Sequence, residues 1–254
     1  MMSYGGGLVT GDSVDLKVTV KPKARLALLT QGSTKVYKTP SRSIYSCQNL
    51  TVELEDGAAL LLLPDPVQPF KDSAYKQCQM FHVQPSSSLL VLDWVCAGRA
   101  ARGEAWKFYD YRNRNDIWAF PDSTKGPRGK LLLRDSLILG GASESPNFCH
   151  EMDDLGVFGS MIIRGPLFHT LAKFFLEEFS RLPRIGPNGQ RVDEDTMRLD
   201  HSVKAWTAAS VRGALVVKLG AQEVDAARHW LRDMLVKEGT VEREFGAKAL
   251  LCLQ

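Results

Sequence analysis

Short runs in which apolar and polar residues alternate, each closed by a turn, recur at intervals of about ten residues through the first half of the chain. Val14 to Val20 alternates over its whole length, the signature of a half-buried strand. Leu50 to Glu55 repeats the pattern and stops at the Asp56-Gly57 turn. Arg25 to Thr30 and Ala58 to Leu63 are apolar enough to be buried on both faces, and Tyr75 to Val83, Ile117 to Phe120 and Lys130 to Leu139 extend the series. This succession confines the chain to a mainly β architecture, a many-stranded single domain of sandwich-like, barrel or helical β form. No sequence repeat favours a regular solenoid.

Residues 89 to 111 predict a hairpin centred near Ala100. Its register would set Trp94 opposite Trp106 and Leu92 opposite Phe108 on one aromatic side. The other side would carry Asp93 between Val91 and Val95. A lone carboxylate there needs a cation or several donors, with Lys107 the first candidate and Arg99 or Arg102 the others. Glu104 makes the same demand. A structural salt bridge at a sheet edge explains both acids more readily than a functional site does.

Pro64-Asp65-Pro66-Val67-Gln68-Pro69-Phe70 predicts a fixed extended loop, because its prolines forbid both helix and central strand. Asp65, pinned between two prolines, suits a binding site; capping a turn is the equal alternative. Asp110 to Asp116 is expected to be a polar connection. Two helices interrupt the strands in the C-terminal third, at about 166–182, from Pro166 to the stop at Pro183, and at about 222–238, closed by Gly239. Between them, 183–198 is expected to be a mobile surface loop. Ser210 to Leu219 is expected to be a strand leading into the second helix, and Ala249 to Leu253 a last strand or docking tail.

A net charge of +3 without clustered Lys and Arg argues against nucleic acid. Five cysteines without a Cys-x-x-Cys pair suit a reducing cytosol. The start has no basic and apolar leader and no run of eighteen apolar residues follows, so the expectation is a cytoplasmic protein, neither secreted nor membrane-spanning. A Gly-x-Ser-x-Gly elbow and a P-loop are absent. Cys149-His150-Glu151-Met152-Asp153-Asp154 crowds possible ligands, but adjacent residues on a strand point apart, which favours a solvated loop over a metal site. The residues alone thus indicate a binding or assembly module.

Four motifs, in order, carry a resemblance: Gly5 to Asp12, Thr30 to Tyr37, Leu63 to Phe70, and Asp93 to Glu104, Asp-Trp-Val-Cys-Ala-Gly-Arg-Ala-Ala-Arg-Gly-Glu. Together they resemble the UreD (UreH) urease accessory protein family, closely up to about residue 165 and loosely beyond, with the long 183–198 segment as in eukaryotic relatives. The resemblance implies a non-enzymatic maturation factor with a mainly β fold and two helices. It implies UreF-like and UreG-like (GTPase) accessory proteins and urease apoprotein as partners, no tightly bound cofactor, and nickel in transit through the interior. Asp65, Asp93 and Glu104 are the candidates for a nickel path, and Arg99, Arg102 and Asp65 for partner contact. Fewer residues precede the glycine-rich motif than family members usually carry, so an unpaired sheet edge is expected at that end. Two other readings stay open, a β-rich scaffold without a metal role and an enzyme built on Cys149 and His150.

Overall fold

In a computed structural model that describes residues 6–120, 129–140, 148–182 and 205–254, the chain folds into two stacked β-sheets with a helical layer on one of them. The strands are β1 (Gly7–Leu8), β2 (Ser13–Val20), β3 (Arg25–Leu29), β4 (Thr34–Val36), β5 (Ser46–Leu54), β6 (Ala59–Leu63), β7 (Val67–Pro69), β8 (Ala74–Val83), β9 (Ser88–Cys96), β10 (Asp110–Ala119), β11 (Leu131–Gly140), β12 (Val157–Arg164), β13 (Ala205–Val211) and β14 (Ala214–Ala221). The helices are α1 (Phe148–Glu151), α2 (His169–Ser180), α3 (Val224–Glu238) and α4 (Thr240–Phe245). The expected mainly β fold with helices near 166–182 and 222–238 is what forms.

Up to β10 the chain winds between the two sheets as a parallel coil. One sheet runs β11-β10-β8-β5-β2; the other runs β1-β4-β7-β9-β12-β14-β13, with β6 beside β9 and β3 beside β6. Successive coils differ in length: Ser13 pairs with Cys47, Ser46 with Tyr75 and Ala74 with Asp110, steps of 34, 29 and 36 residues. Unequal steps hide the coil from any search for a fixed repeat.

Several expectations fail here for physical reasons. The 89–111 hairpin does not form. β9 pairs with β12, β6 and β7, whereas β10 pairs with β8 and β11 in the other sheet, so residues 97–109 cross between sheets. Trp94 joins the core beneath the helices and Trp106 a separate cluster with Phe108. Asp110 to Asp116 is strand, not connection, because Asn113 and Asn115 find a partner between the sheets while Asp116 is paired with Arg134 on the outer face. The proline segment contributes the three-residue strand β7, with Val67 paired to Thr34 and to Val95. Ser210 to Leu219 is two strands, since Arg212 and Gly213 both take positive φ and turn β13 into β14. Residues 247–253 form a 3-10 segment, and 148–151 a short helix rather than a loop. The 183–198 segment lies outside the described residues.

Every residue of β9 is buried, because its two faces meet different layers. Leu90, Leu92, Trp94 and Cys96 meet the core under α2 and α3; Leu89, Val91 and Val95 face the second sheet. Phe175 of α2, Trp230 of α3 and Trp206 of β13 interlock, with ring centroids 6.3 Å, 6.3 Å and 5.2 Å apart. At the opposite extreme β2 is an edge strand whose inward Val14, Leu16 and Val18 are only half-buried.

Gly98 opens the crossing from β9 to β10 with φ +89°, and a Cβ there would lie 2.4 Å from the Pro69 carbonyl oxygen. Gly98→Ala should therefore cost about 1–2 kcal/mol from the left-handed backbone alone, and more from the clash. Urea unfolding of the purified chain measures it.

Candidate functional site

The space between the sheets is not uniformly apolar. One cluster holds Leu89, Val91, Phe81 and Ile117; a second holds Val95, Tyr75, Tyr111 and Phe108. Between them lies a belt of polar side chains. It follows from the strand register: parallel pairing of successive coils sets Gln48 beside Gln77 beside Asn113 and Gln79 beside Asn115, and antiparallel β11 sets Asp135 beside Asn115.

Asp93 faces this belt from β9. It is 6% exposed, and one carboxylate oxygen, Oδ2, accepts hydrogen bonds from Gln77 Nε2 at 3.3 Å, from Asn115 Nδ2 at 2.6 Å and from Asn113 Nδ2. The Tyr75 hydroxyl donates to Gln77 Oε1 at 2.7 Å and lies 3.0 Å from Gln48 Oε1. Lys107, the cation expected beside Asp93, is not its partner; amides take that role. Burial pushes the Asp93 carboxyl above its ordinary range, Asn113 and Asn115 pull it down, and nearby Asp135 pushes it up against the pull of Lys218. Burial, and then the charge of Asp93, hold the Tyr75 and Tyr111 phenols well above theirs.

On the side of the earlier coils the belt adjoins a cavity of about 80 Å³, room for a few waters. Asp93, Gln77, Gln79, Gln48, Thr30 and Asp65 are among its walls. Asp65, also 6% exposed, accepts from Arg228 Nη2 of α3 at 2.6 Å, from the Gly32 N–H at 2.8 Å and from Thr30 Oγ1 at 3.1 Å. The loop carboxylate thus bonds the 30–32 bend of another loop, rather than its own proline corner, and fastens α3 to the coil.

Glu104 lies apart, on the crossing after β9. Arg99 meets it with two hydrogen bonds of 2.8 and 2.7 Å, and the same guanidinium lies 4.1 Å from the centre of the Phe70 ring. Burial pushes the Glu104 carboxyl up, but the bonds from Arg99 and the Lys71 N–H, with the charges of Arg99 and Arg102, hold it below its ordinary range. Arg102 is exposed. Asp93 and Asp65 therefore share a cavity wall, whereas Glu104, Arg99 and Arg102 belong to a surface loop. Among the described residues no three His, Cys, Asp or Glu side chains converge on a possible ion site. His150 is exposed on α1, and the side chain of Cys149 lies outside the described residues.

Local sequence pattern does not single out Gln48, Gln77, Gln79, Asn113, Asn115 and Asp135. A signal existed: Tyr75-x-Gln77-x-Gln79-x-Phe81 matches Tyr111-x-Asn113-x-Asn115-x-Ile117, 36 residues on. Period-two alternation was masked because the outward residues of these strands are polar too.

The UreD urease accessory protein family model matches residues 1–248. Urease accessory protein D of Arabidopsis thaliana is 38% identical over 93% of this chain and 81% of its own length. An uncharacterized ureD-like urease accessory protein of Schizosaccharomyces pombe is 34% identical over 91% and 78%, and urease accessory protein 4 of Cryptococcus neoformans 34% over 94% and 77%. The chain belongs to the UreD family. Its role is accordingly in urease maturation. In this UreD-family protein the third motif carries Asp65 and the fourth runs from Asp93 to Glu104. No helix of the described residues is long and apolar enough to cross a membrane.

Two stability predictions follow from the geometry. Arg228→Ala strands the buried Asp65 carboxylate and should cost roughly 3 kcal/mol, whereas Arg99→Ala, at a more exposed pair, should cost about 1 kcal/mol or less; urea titration separates them. For Asp93 the folded chain binds a proton more readily than the unfolded chain. Its stabilising contribution is present in acid, below the unfolded carboxyl's pKa, and is lost as pH rises through the raised folded value. Asp93→Asn should then unfold at higher temperature than the parent at pH 7, with the difference shrinking on acidification. Thermal scans across pH read this directly.

Proposed function

We propose that this UreD-family protein is a non-catalytic assembly factor that binds urease apoprotein together with UreF-like and UreG-like accessory proteins, and that nickel, as cargo, passes along its interior polar belt. The observation that carries this reading is Asp93, a carboxylate set among amides beside a cavity that Gln48, Gln77, Gln79 and Asp65 help to line. Hard oxygen donors hold a divalent ion loosely enough to release it, as a conduit requires, whereas a Cys/His cage would retain it. Asp65, on the cavity wall, belongs to the same path, with its charge partly compensated by Arg228. Glu104, Arg99 and Arg102 are assigned to the partner surface, because their loop lies outside the cavity. GTP hydrolysis falls to the UreG-like partner, and the site of action is the cytoplasm.

Reconstitution with urease apoprotein, the two accessory proteins, GTP and nickel tests the proposal. Asp93→Asn should lower urease activation severalfold while the complex still assembles in a pull-down. Normal activation by Asp93→Asn removes the transit role, leaving a β scaffold. Failure of the parent chain to associate with urease apoprotein or the UreF-like protein removes the maturation complex itself.

A further inference from the structure

The coil has an open end. β2 is the outermost strand of the smaller sheet, and among the described residues only β5 pairs with it. The Cys47 N–H donates to the Asp12 carbonyl at 2.7 Å and the Glu55 N–H to the Val20 carbonyl at 3.1 Å, so the even-numbered residues direct their backbone groups at β5. Residues alternate in this respect along a parallel pair, and Ser13, Asp15, Lys17 and Thr19 therefore aim N–H and C=O outward, past the sheet. On the inward face Leu16 and Val18, with Leu26 and Leu28 of β3 in the larger sheet, are only half-buried against the core.

Edge strands are commonly blunted by a proline, a bulge, an inward charge or a lysine on the edge. β2 runs for eight residues in unbroken register with β5, without proline or inward charge, and its one safeguard of that kind is Lys17. Asp15 answers it, because the two charges flank Leu16 on the outer face and make the strand complementary to itself. An antiparallel copy related by a two-fold axis at Leu16 sets Asp15 opposite the partner's Lys17, Ser13 opposite the partner's Thr19, Val14 opposite the partner's Val18 and Leu16 opposite itself. The residues with outward backbone groups then fall at hydrogen-bonded positions, and the apolar ones at the closer positions between them. Moving the axis to Asp15 or Lys17 sets that charge against its own copy, and moving it further shortens the overlap.

We propose that two copies of this chain associate through β2, edge to edge and antiparallel about Leu16, so that their smaller sheets become one continuous sheet. The occupant is a second copy rather than an unrelated strand because the charges on this edge are matched by the strand's own sequence. Lys17 reaches Glu53 of its own sheet at 3.0 Å, and in the pair it stands between that acid and the partner's Asp15. These ion pairs are exposed to solvent, so they select the register, while the backbone bonds and the covered Leu16, Val14 and Val18 hold it.

Sedimentation velocity of the purified full chain tests the proposal, with charge swaps as the discriminating variants. The parent should show a monomer–dimer equilibrium at concentrations on the order of 10–100 μM. Asp15→Lys and Lys17→Asp each set like charges opposite one another and should weaken association by about tenfold or more. Mixed in equal amounts, the two variants restore opposite charges at every such position and should associate as the parent does, a recovery that damage to either chain does not explain. The proposal is overturned by a parent that stays monomeric, by swaps that leave the dimer unchanged, as association through another surface would dictate, or by a mixture that stays monomeric. Should a swap fail to fold, Thr19→Pro withdraws only an outward N–H and should weaken association likewise; a dimer indifferent to it overturns the proposal as well.

Discussion

Burying Asp93 between two apolar clusters is tolerable only because amides from two neighbouring strands converge on its carboxylate. That requirement organises much around it. The strands bearing Gln77, Asn113 and Asn115 must lie side by side in one sheet, and β9 must stand across from them in the other. An ion pair in the same place would hold the acid more strongly, yet it would also fill the site with a permanent positive charge. Amides satisfy the carboxylate without a cation in contact with it, and at the far end of the belt Lys218 bonds Asp135.

The two sheets divide the work of the molecule. The larger one is covered by α2, α3, α4 and the C-terminal 3-10 segment, and its apolar face builds the main core. Asp65 belongs to that side: through Arg228 it anchors α3, and through Thr30 and Gly32 it ties the helix to the first coil, while the Cys252 thiol donates to the Thr30 carbonyl at 2.9 Å. The smaller sheet carries charge on its outer face, with Asp116 clasped by Arg134 through two bonds of 2.7 and 2.8 Å. The belt lies where the two sheets face each other, its side chains carried by strands, and the loop residues Thr30, Pro64 and Asp65 help to wall the cavity beside it.

What the sequence made legible was local. The alternation of Val14 to Val20, the buried run of Ala58 to Leu63, the two amphipathic helices and the Gly239 cap all depend on residues near one another in the chain, and all appear as expected, whereas Arg25 to Leu29, expected to be buried on both faces, is a strand only half-buried. The errors came from long-range pairing. Leu89 to Tyr111 looks like a hairpin because two strand-like runs flank a glycine-bearing loop, but β9 is satisfied by β6, β7 and β12, none of which the local pattern reveals. Asp110 to Asp116 looks like a loop because polarity on both faces conceals its period, and only the sheet opposite explains why Asn113 and Asn115 point inward. Asp93 was correctly singled out as needing donors, yet its donors lie 16 to 22 positions away rather than across a turn.

The belt also bears on why one register is chosen. Coil steps of 34, 29 and 36 residues mean that loop length alone does not align one turn with the next. Apolar alternation fixes only which face points inward, and a slip of two residues would preserve it. Such a slip between β8 and β10 would set Phe81 against Asn115, break the match of Gln77 with Asn113, and draw donors away from Asp93. Leaving that carboxylate short of partners is far costlier than any apolar mismatch it would accompany. The polar side chains that make the interior expensive to bury are therefore the ones that tell an irregular coil where each turn belongs.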